Sequence, residues 1–269
     1  MHLRRFGLAG LCAVFAATSA FADQMIEARI VRVEKDGALD LKDGRQAVLE
    51  GIRLPQGRAD HAPDYFVGEA LDALRTLVVD KAVTLKTWTP DEDRYGRLRA
   101  QIVADGKWVQ SEMLSQGLAR VSLSPARTEC SAALYGSEAR ARAARAGLWA
   151  SSDYAVRTSD KLWHDLGTFQ VVEGKVLNAS VHGGRAYLNF GADWRTDFTV
   201  TIAPDDMKSF RKKGIDPRNY AGKFVRVRGF LDWQNGPEIA AANPETIELP
   251  QNEKPELSPG PSVFTPMNC

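Results

Sequence analysis

The stretch from Asp93 to Gly117 restricts the fold more than any other part of the chain. Asp93-Arg94-Tyr95-Gly96 is a glycine-bearing turn, and Arg97–Val103 reads as a strand. Asp105-Gly106 is a turn dipeptide that folds the chain back on itself. Trp108–Gln116 has helical spacing and meets a stop at Gly117, a residue suited to the left-handed position after a helix. A strand, a tight hairpin and a short helix in such quick succession belong to a small sheet with helices laid on it.

The flanks agree. Met25–Glu34 alternates apolar and polar residues, and Asp36-Gly37 and Asp43-Gly44 bracket a short strand at Ala38–Leu41. Gln46–Ile52 and Lys81–Trp88 are also strand-like. Ala70, Leu71, Leu74, Leu77 and Val78 form a helical stripe within Gly68–Val79. Glu129–Ala146 is an amphipathic helix closed by Gly147. The order predicts an α+β fold, mainly β: a five-stranded barrel of OB type with helices packed at one end.

Residues 151–165 are polar and aperiodic, and we read them as a linker between a domain at 23–150 and another at 166–250. Five strand-like segments follow Gly167, with a short helix at Pro204–Lys213 after the third. That order predicts a second OB-like β-barrel. Residues 251–269 are rich in proline and predict a disordered tail. At the other end, Arg4 and Arg5 precede an apolar run and an Ala20-Phe21-Ala22 cleavage pattern. Residues 1–22 therefore read as a signal peptide cut after Ala22, which implies a secreted or periplasmic protein with no membrane span after cleavage.

The Asp93–Arg97 turn, the alanine-bearing strand, Gly117-Leu118-Ala119 and Gly147-Leu148-Trp149 together resemble the second half of a staphylococcal-nuclease-like (thermonuclease) domain. The resemblance spans roughly Met25 to Trp149 and points to a secreted bacterial member. It implies a calcium-dependent phosphodiester hydrolase whose site lies mostly in the first half. There the family has Asp-Gly-Asp-Thr in a hairpin, then an arginine, a metal-binding aspartate and a catalytic glutamate. Oxygen ligands would hold the hard cation, the glutamate would activate water, and two arginines would neutralise the transition state.

This chain departs from that set. Gly51 and Pro55 fix a register in which the first arginine becomes Val48, the metal aspartate becomes Arg53, the threonine becomes Leu54 and the glutamate becomes Gln56. The hairpin aspartate falls on Gly37 or Ala38. Arg97 alone keeps its place, with Arg94 and Tyr95 beside it where the family binds nucleotide. The resemblance with these losses implies a catalytically impaired domain, with no cofactor, that acts as a binding module for single-stranded nucleic acid or a protein partner. The alternative is an active Ca2+-dependent nuclease in which displaced carboxylates, among Asp40, Glu50 and Asp60, rebuild the site.

Charge narrows the binding options. The whole chain carries +1 at pH 7, and removing residues 1–22 takes Arg4 and Arg5 but no acid, leaving −1. No global field attracts a polyanion, so nucleic-acid binding must rest on a local patch. The run from Lys208 to Arg228 is one candidate. Arg211, Lys212 and Lys213 would supply charge and Tyr220 a stacking ring, while Arg226 and Arg228 alternate with valines as an exposed strand face would. His61, His164 and His182 are scattered without metal-ligand spacing. The segment Tyr187–Phe198 resembles an appendage of secreted bacterial nuclease-like proteins, and no chemistry attaches to it. Beyond the signal, Cys130 and Cys269 remain as a candidate disulfide pinning the tail.

Overall fold

β1 (Asp23–Val33) shows how alternation becomes a barrel. Ile26, Ala28 and Ile30 turn inward while Glu27, Arg29 and Val31 face out. The pairing with its neighbour slips between Ile30 and Arg32, and this bulge hands the inward position to Val33. The structure is a computed structural model and describes residues 23–88, 92–193 and 195–250. The signal peptide at 1–22 and the tail at 251–269 lie outside the described residues.

The first unit continues with β2 (Leu39–Leu41), β3 (Gln46–Leu49), β4 (Ile52–Arg53), α1 (Tyr65–Val78), β5 (Ala82–Trp88), β6 (Leu98–Ala104), β7 (Lys107–Trp108), α2 (Val109–Ser115), β8 (Arg120–Val121) and α3 (Ser131–Ala144). β1 pairs antiparallel with both β2 and β5, β2 with β3, and β5 with β6. A parallel pairing of β3 with β6, Ala47 opposite Leu98 through Leu49 opposite Ala100, closes the ring of five strands. Closure leaves no edge within the ring. Ile30, Leu39, Leu85 and Ile102 fill it, and α1 and α2 cap it with Leu74, Val78, Met113 and Leu114. Two buried amides knit the closure. Gln110 accepts from the Ile102 amide at 3.1 Å and donates to the Ala100 carbonyl at 2.7 Å, and Gln101 donates to the Glu50 carbonyl at 2.9 Å.

The second unit contains β9 (Arg157–Thr158), β10 (Phe169–Lys175), β11 (Asn178–His182), β12 (Arg185–Asn189), β13 (Thr199–Ile202), α4 (Met207–Lys212), β14 (Phe224–Phe230), β15 (Asp232–Trp233), β16 (Pro237–Ala240) and β17 (Ile247–Glu248). β10 runs through Val176 and Leu177 into β11, and β14 runs through Leu231 into β15. These two bent strands join the two sheets. β10 pairs with β14, β11 with β12, β12 with β13 and β15 with β16, all antiparallel, while β13 and β16 pair parallel. The strand order therefore repeats that of the first ring, parallel closure included, with a helix again after the third strand. Its core holds Leu188, Val200, Ile202, Phe210 and Val227.

The segment read as a linker is ordered and packed. β9 pairs parallel with β10. Tyr154 is buried with Ala62, Phe66 and Leu148 of the first unit, and Leu162 enters the second core. Arg157 forks onto both oxygens of Asp165 at 3.0 Å. Two isolated anchors set eight positions apart produce no periodic pattern, which is why this stretch reads as a linker in sequence.

Candidate functional site

Of the residues at the nuclease-like positions, Leu54 and Arg97 meet the β1–β2 turn that carries Gly37 and Ala38, and the others are engaged elsewhere. Val48 lies half-buried on β3, paired with Arg99. Ala38 is buried behind the Asp36-Gly37 turn. Gly37 has φ +85°, and a Cβ there would lie 2.5 Å from Leu54 Cδ1, so the leucine packs directly on this turn. Gln56 is exposed, its amide 3.3 Å from the Leu54 carbonyl. Arg97 donates from Nε to Asp93 Oδ2 and from Nη1 to Asp36 Oδ2, both at 2.7 Å. Partial burial raises the Asp36 and Asp93 carboxyls, but backbone amides and the Arg97 guanidinium outweigh it and hold both below the usual carboxylate range. Arg97 is thus a strut between two turns. Tyr95 is 66% exposed, with the Arg94 guanidinium 4.8 Å and that of Arg97 5.0 Å from its ring centre.

This donor set does not fit a calcium ion. A hard divalent cation needs several oxygen ligands, and the positions to which the resemblance assigns them carry Arg53, Leu54 and either Gly37 or Ala38. Nor do the other acidic candidates gather nearby. Asp40 is held by Arg32 at 2.5 Å and Gln46 at 2.8 Å. Glu50 is buried, with Arg99 at 3.4 Å and the Ser124 amide at 3.3 Å. Among the described residues no group of three or more His, Cys, Asp or Glu is placed to share a metal ion.

Arg53 instead belongs to the contact between the two units. Its guanidinium lies 4.9 Å from the ring centre of Phe230 and 5.8 Å from that of Phe169. It approaches buried Asp60 at 3.5 Å, an ion pair too long to count as a good hydrogen bond. Arg120, 1% exposed, donates to Asp60 Oδ2 at 3.0 Å and to the Phe169 carbonyl at 2.6 Å, with the Tyr154 ring 4.8 Å away. Burial lowers the pKa of Arg120, against the pull of Asp60.

A family model described as "Staphylococcal nuclease homologue" matches residues 46–151. The first unit, which contains residues 46–151, holds a staphylococcal-nuclease-like domain. Three plant relatives align with a similar length of chain. The chain is 42% identical over 106 residues to an "Uncharacterized 38.1 kDa protein" of Capnoides sempervirens, covering 39% of this chain and 28% of that one. It is 37% identical over 105 residues to "Staphylococcal-like nuclease CAN1" of Arabidopsis thaliana, covering 39% and 29%. The same identity and length hold for "Probable staphylococcal-like nuclease CAN1" of Oryza sativa subsp. japonica, covering 39% and 28%. The chain therefore spans less than a third of the length of each relative.

The nuclease-like domain meets the second unit through a further buried cluster on α3. Glu138, fully buried, accepts from the Val121 amide at 2.7 Å and from Arg228 at 3.0 Å, and pairs with Arg142 at 2.9 Å. Arg228 also reaches Glu248 at 2.5 Å, and its guanidinium stacks 4.5 Å from the Tyr135 ring centre. Arg226 pairs with Glu173 at 2.6 Å. Tyr135 donates to the Glu245 carbonyl at 2.6 Å. Burial pushes Glu248 up, but Arg228, Arg226 and Arg142 overcome it and leave the carboxyl lowered.

These positions correct the expected basic patch. Arg226 and Arg228 are 7% and 3% exposed, because that face of β14 is covered by α3 rather than by water. Tyr220 is buried in the second core, and burial pushes its phenol up to about 12, so it offers no ring face to a base. Lys213 pairs with Glu245, Lys208 with Asp205 at 3.1 Å and Arg218 with Asp216 at 2.6 Å. Arg211 and Lys212 remain exposed on α4. His61 and His164 do meet, the ring Nδ1 of His61 lying 2.9 Å from the His164 carbonyl, a contact without metal character. Cys130 precedes α3, is 5% exposed and is disulfide-bonded; Cys269 lies outside the described residues.

Sequence reasoning missed the Glu138–Arg228–Glu248 and Asp60–Arg120 pairs. The available signal was Arg120 and Arg228 standing inside apolar strands, where a charge needs a buried partner.

Proposed function

We propose that the nuclease-like domain is a non-cleaving binding module, and that its docking against the second barrel takes the place of a metal site. The observation that carries this reading is Arg53. A guanidinium occupies the position of the metal aspartate and is committed to Asp60 and Phe230. Leu54 against Gly37, and Gln56 in place of a general base, support it further. Arg97 supports it too, since its charge is already matched by Asp36 and Asp93. The exposed Arg94–Tyr95 turn supports a single-stranded nucleic acid as the ligand, through one ring and one cation. A protein partner is the other ligand class. The leader-like residues 1–22 support an extracytoplasmic setting.

The opposing reading is an active Ca2+-dependent phosphodiesterase. The names of the Arabidopsis and Oryza relatives, which call them nucleases, favour it. The deciding experiment incubates the purified protein with single- and double-stranded DNA and RNA, with calcium and with chelator. We expect no cleavage above background. Calcium-dependent cleavage that disappears in Arg97→Ala would establish the enzyme and end the non-cleaving reading.

A further inference from the structure

A groove of about 550 Å³ that the nuclease-like domain does not use lies across the outward face of the second barrel. The strand registers explain its composition. Asn178 stands opposite Asn189, Asn189 opposite Thr199, and Thr199 opposite Glu238, which makes one row of polar groups across β11, β12, β13 and β16. Beside it Ser180 stands opposite Tyr187, and Tyr187 opposite Thr201. The inward positions of the same strands, Leu188, Val200 and Ile239, are fully buried. Alternation has thus assembled an outward face of amides and hydroxyls around one half-buried tyrosine ring.

Two walls fix the groove. The loop after β12 carries Gly191 and Ala192, and the β15–β16 turn carries Gln234 and Asn235. Glycine is required in both, at Gly191 for the first loop to fold on itself and at Gly236 for the turn to approach that loop. A Cβ on Gly191 would collide with the Asp197 carboxylate, and one on Gly236, φ +114°, would come within 2.7 Å of the Asp197 carbonyl oxygen. Asp197 also accepts from the Asp193 amide at 2.8 Å, which closes the loop on itself. The site is therefore formed before any ligand arrives. Its volume falls in the range of ordinary ligand pockets, roughly 300–1,000 Å³.

We propose that this groove binds an uncharged, polyhydroxylated chain, an oligosaccharide segment lying along β11–β13. The lining decides against a polyanion. Its described residues include no lysine or arginine, and Glu238 places a carboxylate where a phosphodiester would have to lie. Arg185, on the same face, stands at its edge opposite His182. Side-chain amides each present donors and acceptors together, the pattern that adjacent hydroxyls match. Tyr187 adds an apolar ring with a polar tip, suited to a sugar's C–H face and hydroxyl rim. Glu238, already accepting from Thr201 Oγ1 at 2.8 Å, retains lone pairs for a further hydroxyl. The inference also gives a use to the Tyr187–Phe198 segment, which the nuclease-like domain leaves without one.

The test is a titration of the isotope-labelled full chain, followed by NMR, with cellohexaose, maltohexaose and chitohexaose in turn, and separately with a single-stranded oligothymidylate. We expect at least one hexasaccharide to shift the side-chain amide signals of Asn178 and Asn189, with an affinity unchanged from low to high NaCl. Tyr187→Ala should weaken that binding by about tenfold or more. Asn189→Asp preserves shape and exchanges the amide donor for a charge, so it should weaken binding even if the tyrosine variant folds poorly. Failure of all three sugars to move these signals at millimolar concentration overturns the proposal. So does salt-dependent oligothymidylate binding in the groove, or wild-type affinity in both variants.

Discussion

Arg228 holds two carboxylates in a space that water barely reaches. Its guanidinium meets Glu138 and Glu248, and Arg142 shares Glu138. Removing one partner from such a cluster leaves an uncompensated buried charge, which typically costs about 3–5 kcal/mol. Arg228→Ala should therefore lower the unfolding free energy by about that amount in a urea titration. A loss within the range of an ordinary surface substitution would show that the cluster is solvated. Glu248 adds a pH dependence. Its folded pKa is depressed, so its contribution is complete above its unfolded pKa, about 4.3, and is lost as pH falls through the folded value. Asp36 and Asp93 act with the same sign. Stability should decline on acidification below about pH 4. Glu248→Gln should be less stable at neutral pH and show a shallower acid decline. An acid decline as steep as in the parent protein would assign the effect to other carboxylates.

At the scale of elements, two glycines decide how α2 and α3 end against each other. Gly117 follows α2 with φ +70°, and Gly147 follows α3 with φ +52°. A Cβ on Gly117 would run into the Ala146 carbonyl, and one on Gly147 would lie 2.5 Å from the Gly117 oxygen. Gly44 has a comparable φ of +88° but open space around it. Gly44→Ala should cost about 1 kcal/mol from backbone strain alone, and Gly117→Ala distinctly more. Equal losses in thermal unfolding would show that the backbone there yields. The Gly117-Leu118-Ala119 and Gly147-Leu148-Trp149 signatures are thus the two sides of one contact, which is why they marked the fold so clearly in the sequence. Strands and helices of the first barrel were legible because each has a regular period. β11 was not, since Asn178, Ser180 and His182 alternate with only Ala179 and Val181 and present no strong apolar face. The identities Val48, Arg53 and Gln56, at the positions the resemblance assigns to a catalytic set, were also legible. Their consequence was not: that Arg53 would turn to Phe230 follows from a contact between residues far apart in the chain, and no local pattern encodes it.

The molecule as a whole comprises two rings with one strand order, fastened at two charged clusters and by the segment at residues 151–165. Tyr154 and Leu162 commit that segment to both cores. The two barrels should therefore unfold together, giving one calorimetric transition whose van't Hoff and calorimetric enthalpies agree. Two resolved transitions would mean that the contact contributes little to either barrel. Cys130 adds a covalent tie. Mass spectrometry of the non-reduced protein should find the Cys130 peptide linked to the Cys269 peptide, and a peptide carrying a free Cys269 thiol would refute that pairing.

The setting of Arg53 limits what can stand at that position. Arg53→Asp would set a second carboxylate beside Asp60 and strip Phe169 and Phe230 of the cation lying over them. The joint between the two barrels thus holds the arginine in place, because an acidic side chain there would loosen it.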